Sequence, residues 1–271
     1  DAAAALPLKP KWPAPAPAHP KLNPNPKPYG VLEGDMVRLE PCGAGDAAVI
    51  FAACGGGPYL AHGEYDAYEE IFLHLKEGPF ASAEELAAAP FLADVPAERL
   101  LKIIAQRDGR VVGTLRLARH RPRDLNVGVE DLWVTPGCRR RGYATEALAL
   151  VFRHAFSLLY RRVDFFVDAE NVQMRRFLER RFLVDSDGLL RKYGVRRRGN
   201  QDIAVYGMVN NLWRDLVAGK VAKLLLDRVR ADPVLKRKFE ARLQLEREVA
   251  EEDKWHDLGA QAERRQQKKD K

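Results

Sequence analysis

Hydrophobic and polar positions along the chain spell out a succession of strands and helices between about residues 30 and 213. Met36, Arg38 and Glu40 alternate with Val37, Leu39 and Pro41, the period of a half-buried strand, and Asp46 is placed to cap a helix through AAVIFAAC. The stretch from Glu69 to Pro90 reads as helix broken at Gly78-Pro79, with Ser82 and Glu85 at capping-box spacing. Two β-rich runs, LLKIIA and RVVGTLRLAR, flank the turn dipeptide Asp108-Gly109 and predict a hairpin. NVGVEDLWVTP is a further strand that ends at Pro136. After it come a short basic glycine loop, a helix from about Thr145 to Tyr160, a strand RRVDFFVDA, a helix from about Val172 to Arg181 and a last strand IAVYGMV. Strands and helices mixed in this order predict an α/β domain of the α+β type, built around a strand, loop and helix unit.

The flanking segments have a different character. Nine of the 17 prolines fall between Pro7 and Pro28, where fixed φ angles and missing N–H donors leave only extended backbone, so residues 1–29 read as a tail or strap. Residues 214–271 read as a charged helical extension. Val217, Val221, Leu224 and Leu225 form an apolar stripe, and Asp232-Pro233 starts a second helix with Leu235, Phe239 and Leu243 on one side. These stripes need a surface to cover, either the domain itself or a partner.

Charge sharpens that division. The chain of 271 residues has a formal net charge of +7. Residues 1–29 hold four lysines and one aspartate, and residues 214–271 hold 16 Lys plus Arg against 12 Asp plus Glu, so the whole excess sits in the ends. A polyanion-seeking function would belong to them rather than to the middle. Cys42, Cys54 and Cys138 are an odd number without CxxC spacing, which argues against a disulfide framework or a zinc site and for a reducing compartment. No membrane span or secretory leader is visible. The first residue is not Met, as expected of a processed form, for example after loss of an organellar transit peptide, or of a shortened chain.

The segment that carries chemistry is VEDLWVTPGCRRRGYATEALALVFRHAF. A strand delivers the chain to Arg139, Arg140, Arg141, Gly142, Tyr143 and Ala144 and a helix leaves at once, so backbone N–H groups and the positive helix end converge where a diphosphate could sit. Gly142 lets backbone approach the anion, and Ala144 keeps the helix close to the sheet. Taken alone, the same six residues could be an ordinary turn with a solvated basic run.

The wider context resembles the GNAT superfamily of N-acetyltransferases. Its signature, Gln/Arg-x-x-Gly-x-Gly/Ala between strand and helix, is matched by Arg139, Gly142 and Ala144. VLEGDMVRLEP followed by Asp46, GPFAS at 78–82, DAENVQMRRFLERRF and GLLRKYGVRRRGNQDIAVYGMVNNLW are similar, in that order, to the RimJ/RimL-like branch. The resemblance spans residues 30–213 and implies a mixed sheet splayed between the family's strands 4 and 5, with acetyl-CoA or CoA held in the split. It implies pantetheine pairing near Trp133 and Val134, diphosphate binding by residues 139–144, and a pocket role for Asn171.

Two features depart from the family pattern. A Ser usually follows the family Asn by three residues, where this chain has Met174, which can neither donate to a thiolate nor relay a proton. The usual Leu-Gly-Phe reads Arg180-Arg181-Phe182. Glu130 and Asp131 are the candidate bases on the strand, with structural ion pairs as the other reading. Cys138 is more simply a bystander thiol, and His154 a packed core histidine. Two functions follow: transfer of acetyl from acetyl-CoA to a protein N-terminus, side-chain or small amine, or a GNAT-fold pseudoenzyme serving as a structural subunit of a large assembly. A mitochondrial ribosome or its precursor, contacted through both tails, is the leading expectation for such an assembly, with a mitochondrial matrix or cytoplasmic location.

Overall fold

The computed structural model describes residues 30–55, 71–95, 98–196 and 199–248. The proline-rich strap and the last residues of the C-terminal extension lie outside them. One eight-stranded sheet runs β1 (Leu32–Glu33), β2 (Val37–Pro41), β3 (Arg99–Ala105), β4 (Val111–Arg121), β5 (Asn126–Val134), β6 (Arg162–Asp168), β8 (Gly199–Val209), β7 (Ser186–Arg196). Neighbours are antiparallel except β5 and β6, which are parallel. This is the mixed, open GNAT fold that the resemblance implies.

Alternation along the strands divides the core in two. Leu101 and Ile103 of β3 belong to a large cluster covered by α3 (Tyr143–Ser157), whereas Leu100 faces a smaller one under α1 (Ala47–Cys54) and α2 (Ala83–Ala88). Phe152 of α3 centres an aromatic group, edge-on to Phe165 at 5.9 Å and to Phe182 of α4 (Val172–Phe182) at 5.3 Å.

Local expectations and structure differ in instructive places. Ser82 caps α2, accepting from the Glu85 backbone N–H at 3.2 Å, but residues 71–77 form turns with only a 3-10 segment, Phe72–His74, instead of a helix. Asp46 stands at the N-cap of α1 without capping it. Its carboxylate accepts from Gly43 N–H at 3.1 Å and pairs with Lys102 at 2.7 Å. The hairpin forms around Asp108-Gly109, with Gly109 at φ +76°.

Beyond β8 the chain winds through a helical turn (Asn210–Leu212) and a π-helical turn (Trp213–Val217) into α5 (Ala218–Ala231). Asp232 then caps α6, helical over 233–248, by accepting from the Val234 N–H at 2.9 Å. The apolar stripe is covered by the domain itself. Val217, Val221, Leu225, Val229 and Leu235 are buried in the cluster that holds α3, and Phe239 packs against it. Among the described residues no helix is long and apolar enough to cross a membrane.

Candidate functional site

β5 and β6 pair only from Asn126↔Arg162 to Val129↔Phe165. Past Val129 the strands diverge, since β6 stays with β8 through Asp168 while β5 runs on to Val134. Arg116 of β4 stands opposite Glu130 of β5 and Thr114 opposite Trp133, so two β5 residues, Asp131 and Leu132, face one of β4, and Asp131 takes φ +49°. Such a bulge bends the strand and adds to the divergence.

The wedge so opened is a cavity of about 640 Å³, within the usual range of small-molecule sites. One wall is Leu132, Trp133 and Val134, and the other is Asn171, Met174 and Phe177 at the start of α4. The floor is the loop from Cys138 to Thr145. Arg139, Arg140, Arg181 and Arg228 line it against one acidic group, Glu170, so the cavity favours an anion.

The loop is built for close approach. Thr135 is fixed by its hydroxyl on the Ala53 carbonyl (3.1 Å) and its N–H on that of Val112 (2.8 Å). Arg140 at φ +62° and Gly142 at φ +100° turn the chain into α3. Gly142 is the N-cap and offers no side chain, which leaves first-turn N–H groups without intrahelical acceptors. A Cβ at Gly142 would stand 2.8 Å from Cδ of Arg228 and 3.2 Å from Cε of Met36, so a larger residue would fill the cradle. Trp133 adds a buried indole N–H with no partner among the described residues. A cation-lined wedge, open N–H groups, a cradle kept clear by glycine and an orphaned donor fit an acyl-CoA, with the diphosphate on the loop and the pantetheine between the strands.

Of the residues singled out by sequence, Trp133, Val134, Arg139, Arg140, Gly142, Tyr143, Ala144, Asn171 and Met174 line this cavity. Arg141 is not in its lining. Asn171 caps α4, its Oδ1 accepting from the Met174 N–H at 2.9 Å. Glu130 and Asp131 are placed elsewhere. Asp131 pairs with Arg116 at 2.7 Å, and that guanidinium also bonds the Phe91 carbonyl at 2.6 Å. Glu130 pairs with Arg119 and, at 2.8 Å, with Lys76. Burial works to raise the Glu130 carboxyl, but its bonds to the two cations outweigh that and hold it below the usual carboxylate range. A carboxylate so held is a weak base. Cys138 is buried and its thiol pushed up to about 11 by burial, which suits a bystander. His154 is half-buried on α3, its pKa lowered by burial.

Sequence reasoning missed three residues. Arg228 comes from the extension and lies over Gly142. Glu146, in the first turn of α3, is 4% exposed and accepts from the N–H groups of Asp35 (2.9 Å), Met36 (2.7 Å) and Val37 (2.6 Å), tying the β1–β2 turn to the loop. Burial pushes its carboxyl up to about 7 against the pull of those donors. The third is His74, which lines the cavity and bonds Asp168. Each depends on a partner 85 or more positions away, beyond the reach of local pattern.

The model of the Acetyltransferase (GNAT) family matches residues 65–182. A GCN5-related N-acetyltransferase from Brucella melitensis is 29% identical, with a TM-score of 0.64 over 73% of this chain and 86% of its own. A Chromobacterium violaceum protein assigned to the GNAT family is 24% identical, with a TM-score of 0.60 over 79% of this chain and 98% of its own. RimL, a ribosomal L7/L12 alpha-N-protein acetyltransferase, shares the fold at 13% identity and a TM-score of 0.54, over 66% of this chain and 94% of its own. No curated protein matches the chain significantly. Fold, site and family match agree on the class, a GNAT-fold protein. From residue 65 to residue 182 it is similar to the acetyltransferases of that family.

Proposed function

We propose that the protein is an N-acetyltransferase that binds acetyl-CoA in the wedge between β5 and β6 and transfers the acetyl group to a primary amine, a protein α-amino group in line with the RimJ/RimL-like motifs. The observation that carries this reading is the arginine loop and open N-terminus of α3 at the foot of a cavity walled by diverging strands. Bound there, acetyl-CoA supplies an activated thioester. Arg139, Arg140 and Arg228 would hold its phosphates, with the first-turn N–H groups of α3. Trp133 and Val134 would border its pantetheine, with Asn171 and Met174 on the opposite wall. The alternative of a structural subunit draws no support from the comparisons.

Arg139→Ala and Arg228→Ala should each weaken CoA binding about tenfold or more, the worth of one charge-assisted bond to phosphate. Calorimetry on full-length variants measures this, and unchanged affinity for both would remove the proposed phosphate site. Met174 gives a departing thiolate no proton donor, so Met174→Ser should raise turnover with little change in CoA affinity. A turnover that falls or stays level would show that nothing is lost by the methionine.

A further inference from the structure

The geometry points to His74 as the catalytic base that takes the proton from the acceptor amine, with Asp168 as its positioning residue. The inference rests on the acetyltransferase reading above and assigns its base. His74 lines the cavity on the 3-10 turn Phe72–His74, and its Nδ1 is 3.1 Å from Oδ2 of Asp168, at the end of β6. A carboxylate only accepts, so Nδ1 carries the hydrogen and Nε2 keeps a lone pair in the neutral ring. With Nδ1 committed, Nε2 is the nitrogen left to meet a ligand, and no partner engages it among the described residues.

Asp168 is itself fixed. The same Oδ2 accepts from Arg196 (3.0 Å) and Gln201 (3.2 Å), and Oδ1 from the Glu170 N–H (3.0 Å). Burial works to raise its carboxyl, but the bonds from the Glu170 N–H, His74 and Gln201 hold it below the usual range, so it stays ionised beside the ring. Arg196 also donates to the Phe72 carbonyl at 2.7 Å, pinning the turn that carries His74 to the same carboxylate. An imidazole oriented by a buried acid at the edge of a cavity is the arrangement general-base catalysis needs. Glu130 and Asp131, by contrast, are consumed in ion pairs outside it.

In the step so assigned, the amine nitrogen's lone pair forms the bond to the acetyl carbonyl carbon, and the carbon–sulfur bond breaks with its electron pair leaving on sulfur. The amine proton passes to His74 Nε2, the thiolate takes a proton from water, and the imidazolium returns its proton to the hydroxide so formed, which restores the neutral ring. The charged groups that face the ring are Asp168 of β6, bonded to it, and Arg196 of β7, bonded to the same carboxylate, while Glu170, Arg139, Arg140, Arg181 and Arg228 line the same cavity.

The test compares full-length wild type, His74→Gln and Asp168→Asn. Acetyl transfer is followed from acetyl-CoA to short peptides with free N-terminal Ser, Ala or Met, to a lysine peptide and to phenethylamine. CoA affinity is measured by calorimetry and the His74 tautomer by nitrogen-15 NMR. His74→Gln should lose about a hundredfold or more in kcat/KM, keep CoA affinity within a few-fold, and lose the acidic limb of the wild-type pH–rate profile. Asp168→Asn should shift His74 toward the Nε2–H form and lower kcat more than it raises KM. Overturning results are a His74→Gln rate within tenfold of wild type, an acidic limb that survives the substitution, a wild-type ring already protonated at Nε2 across neutral pH, or a wild type that binds CoA yet acetylates none of these amines. Failure of the wild type to bind CoA would instead strike the acetyltransferase reading itself, and the base with it.

Discussion

Glu146→Ala is expected to lower the melting temperature by roughly 10 °C or more. The carboxylate is the acceptor for three backbone N–H groups, at Asp35, Met36 and Val37, and is 4% exposed. Leaving such donors unsatisfied costs about 1–3 kcal/mol each, and about 2–4 °C follows from each kcal/mol in a domain of this size. No isosteric rescue exists. Glutamine keeps one oxygen but turns an N–H₂ toward N–H donors, so Glu146→Gln should recover only part of the loss. A pH signature goes with it. Burial lifts the folded-state pKa from 4.5 to about 7, so the folded protein binds this proton more tightly than the unfolded chain. The stabilisation is therefore full below about pH 4.5 and is lost as pH rises toward 7. Thermal melts across that range should show the slope in the wild type and lose it in Glu146→Gln. A melting temperature within about 2 °C of wild type for Glu146→Ala would mean that the β1–β2 turn is held by other means.

Ending the chain at Trp213 is expected to unfold the protein. Val217, Val221, Leu225, Val229 and Leu235 would be lost from a core in which each is at most 8% exposed. At about 1.5–3 kcal/mol for each buried aliphatic side chain, the loss is comparable to the whole stability of a typical domain, about 5–15 kcal/mol. Limited proteolysis and circular dichroism of the truncated chain decide the matter. A soluble 1–213 fragment with an unchanged cooperative melt would show α5 to be an appendage. The same cut removes Arg228, so even a partly folded fragment should bind CoA less well.

How much of this was legible in the sequence depends on distance along the chain. The strand, loop and helix from Asn126 to Ser157 announce themselves because their pattern is local: apolar alternation, then arginines and Gly142, then helical spacing. β7 escaped notice because it is an edge strand with almost every residue exposed, so no buried face imposes alternation, and its pairing is supplied by β8. The segment 71–77 reads as helix by composition, yet Phe72, buried and edge-on to Phe80 at 5.5 Å, takes it into a turn. That error hid His74, whose partner Asp168 lies 94 positions on. Glu130 and Asp131 looked like bases because they are acids near the family motif. Only the cross-strand register shows Arg116 opposite the bulge and Arg119 within reach. Composition placed the basic excess in the ends, and there Arg228 reaches back over Gly142 while its helix completes the core.

The central claim is that the wedge between β5 and β6 is an acyl-CoA site, and a crystal structure of the full chain grown with CoA tests it most directly. The account predicts the diphosphate on the N–H groups of residues 140–145 with Arg228 against it, and the pantetheine between Trp133 and Asn171. CoA found elsewhere on the surface, or a wedge that stays empty at saturating CoA, would contradict it.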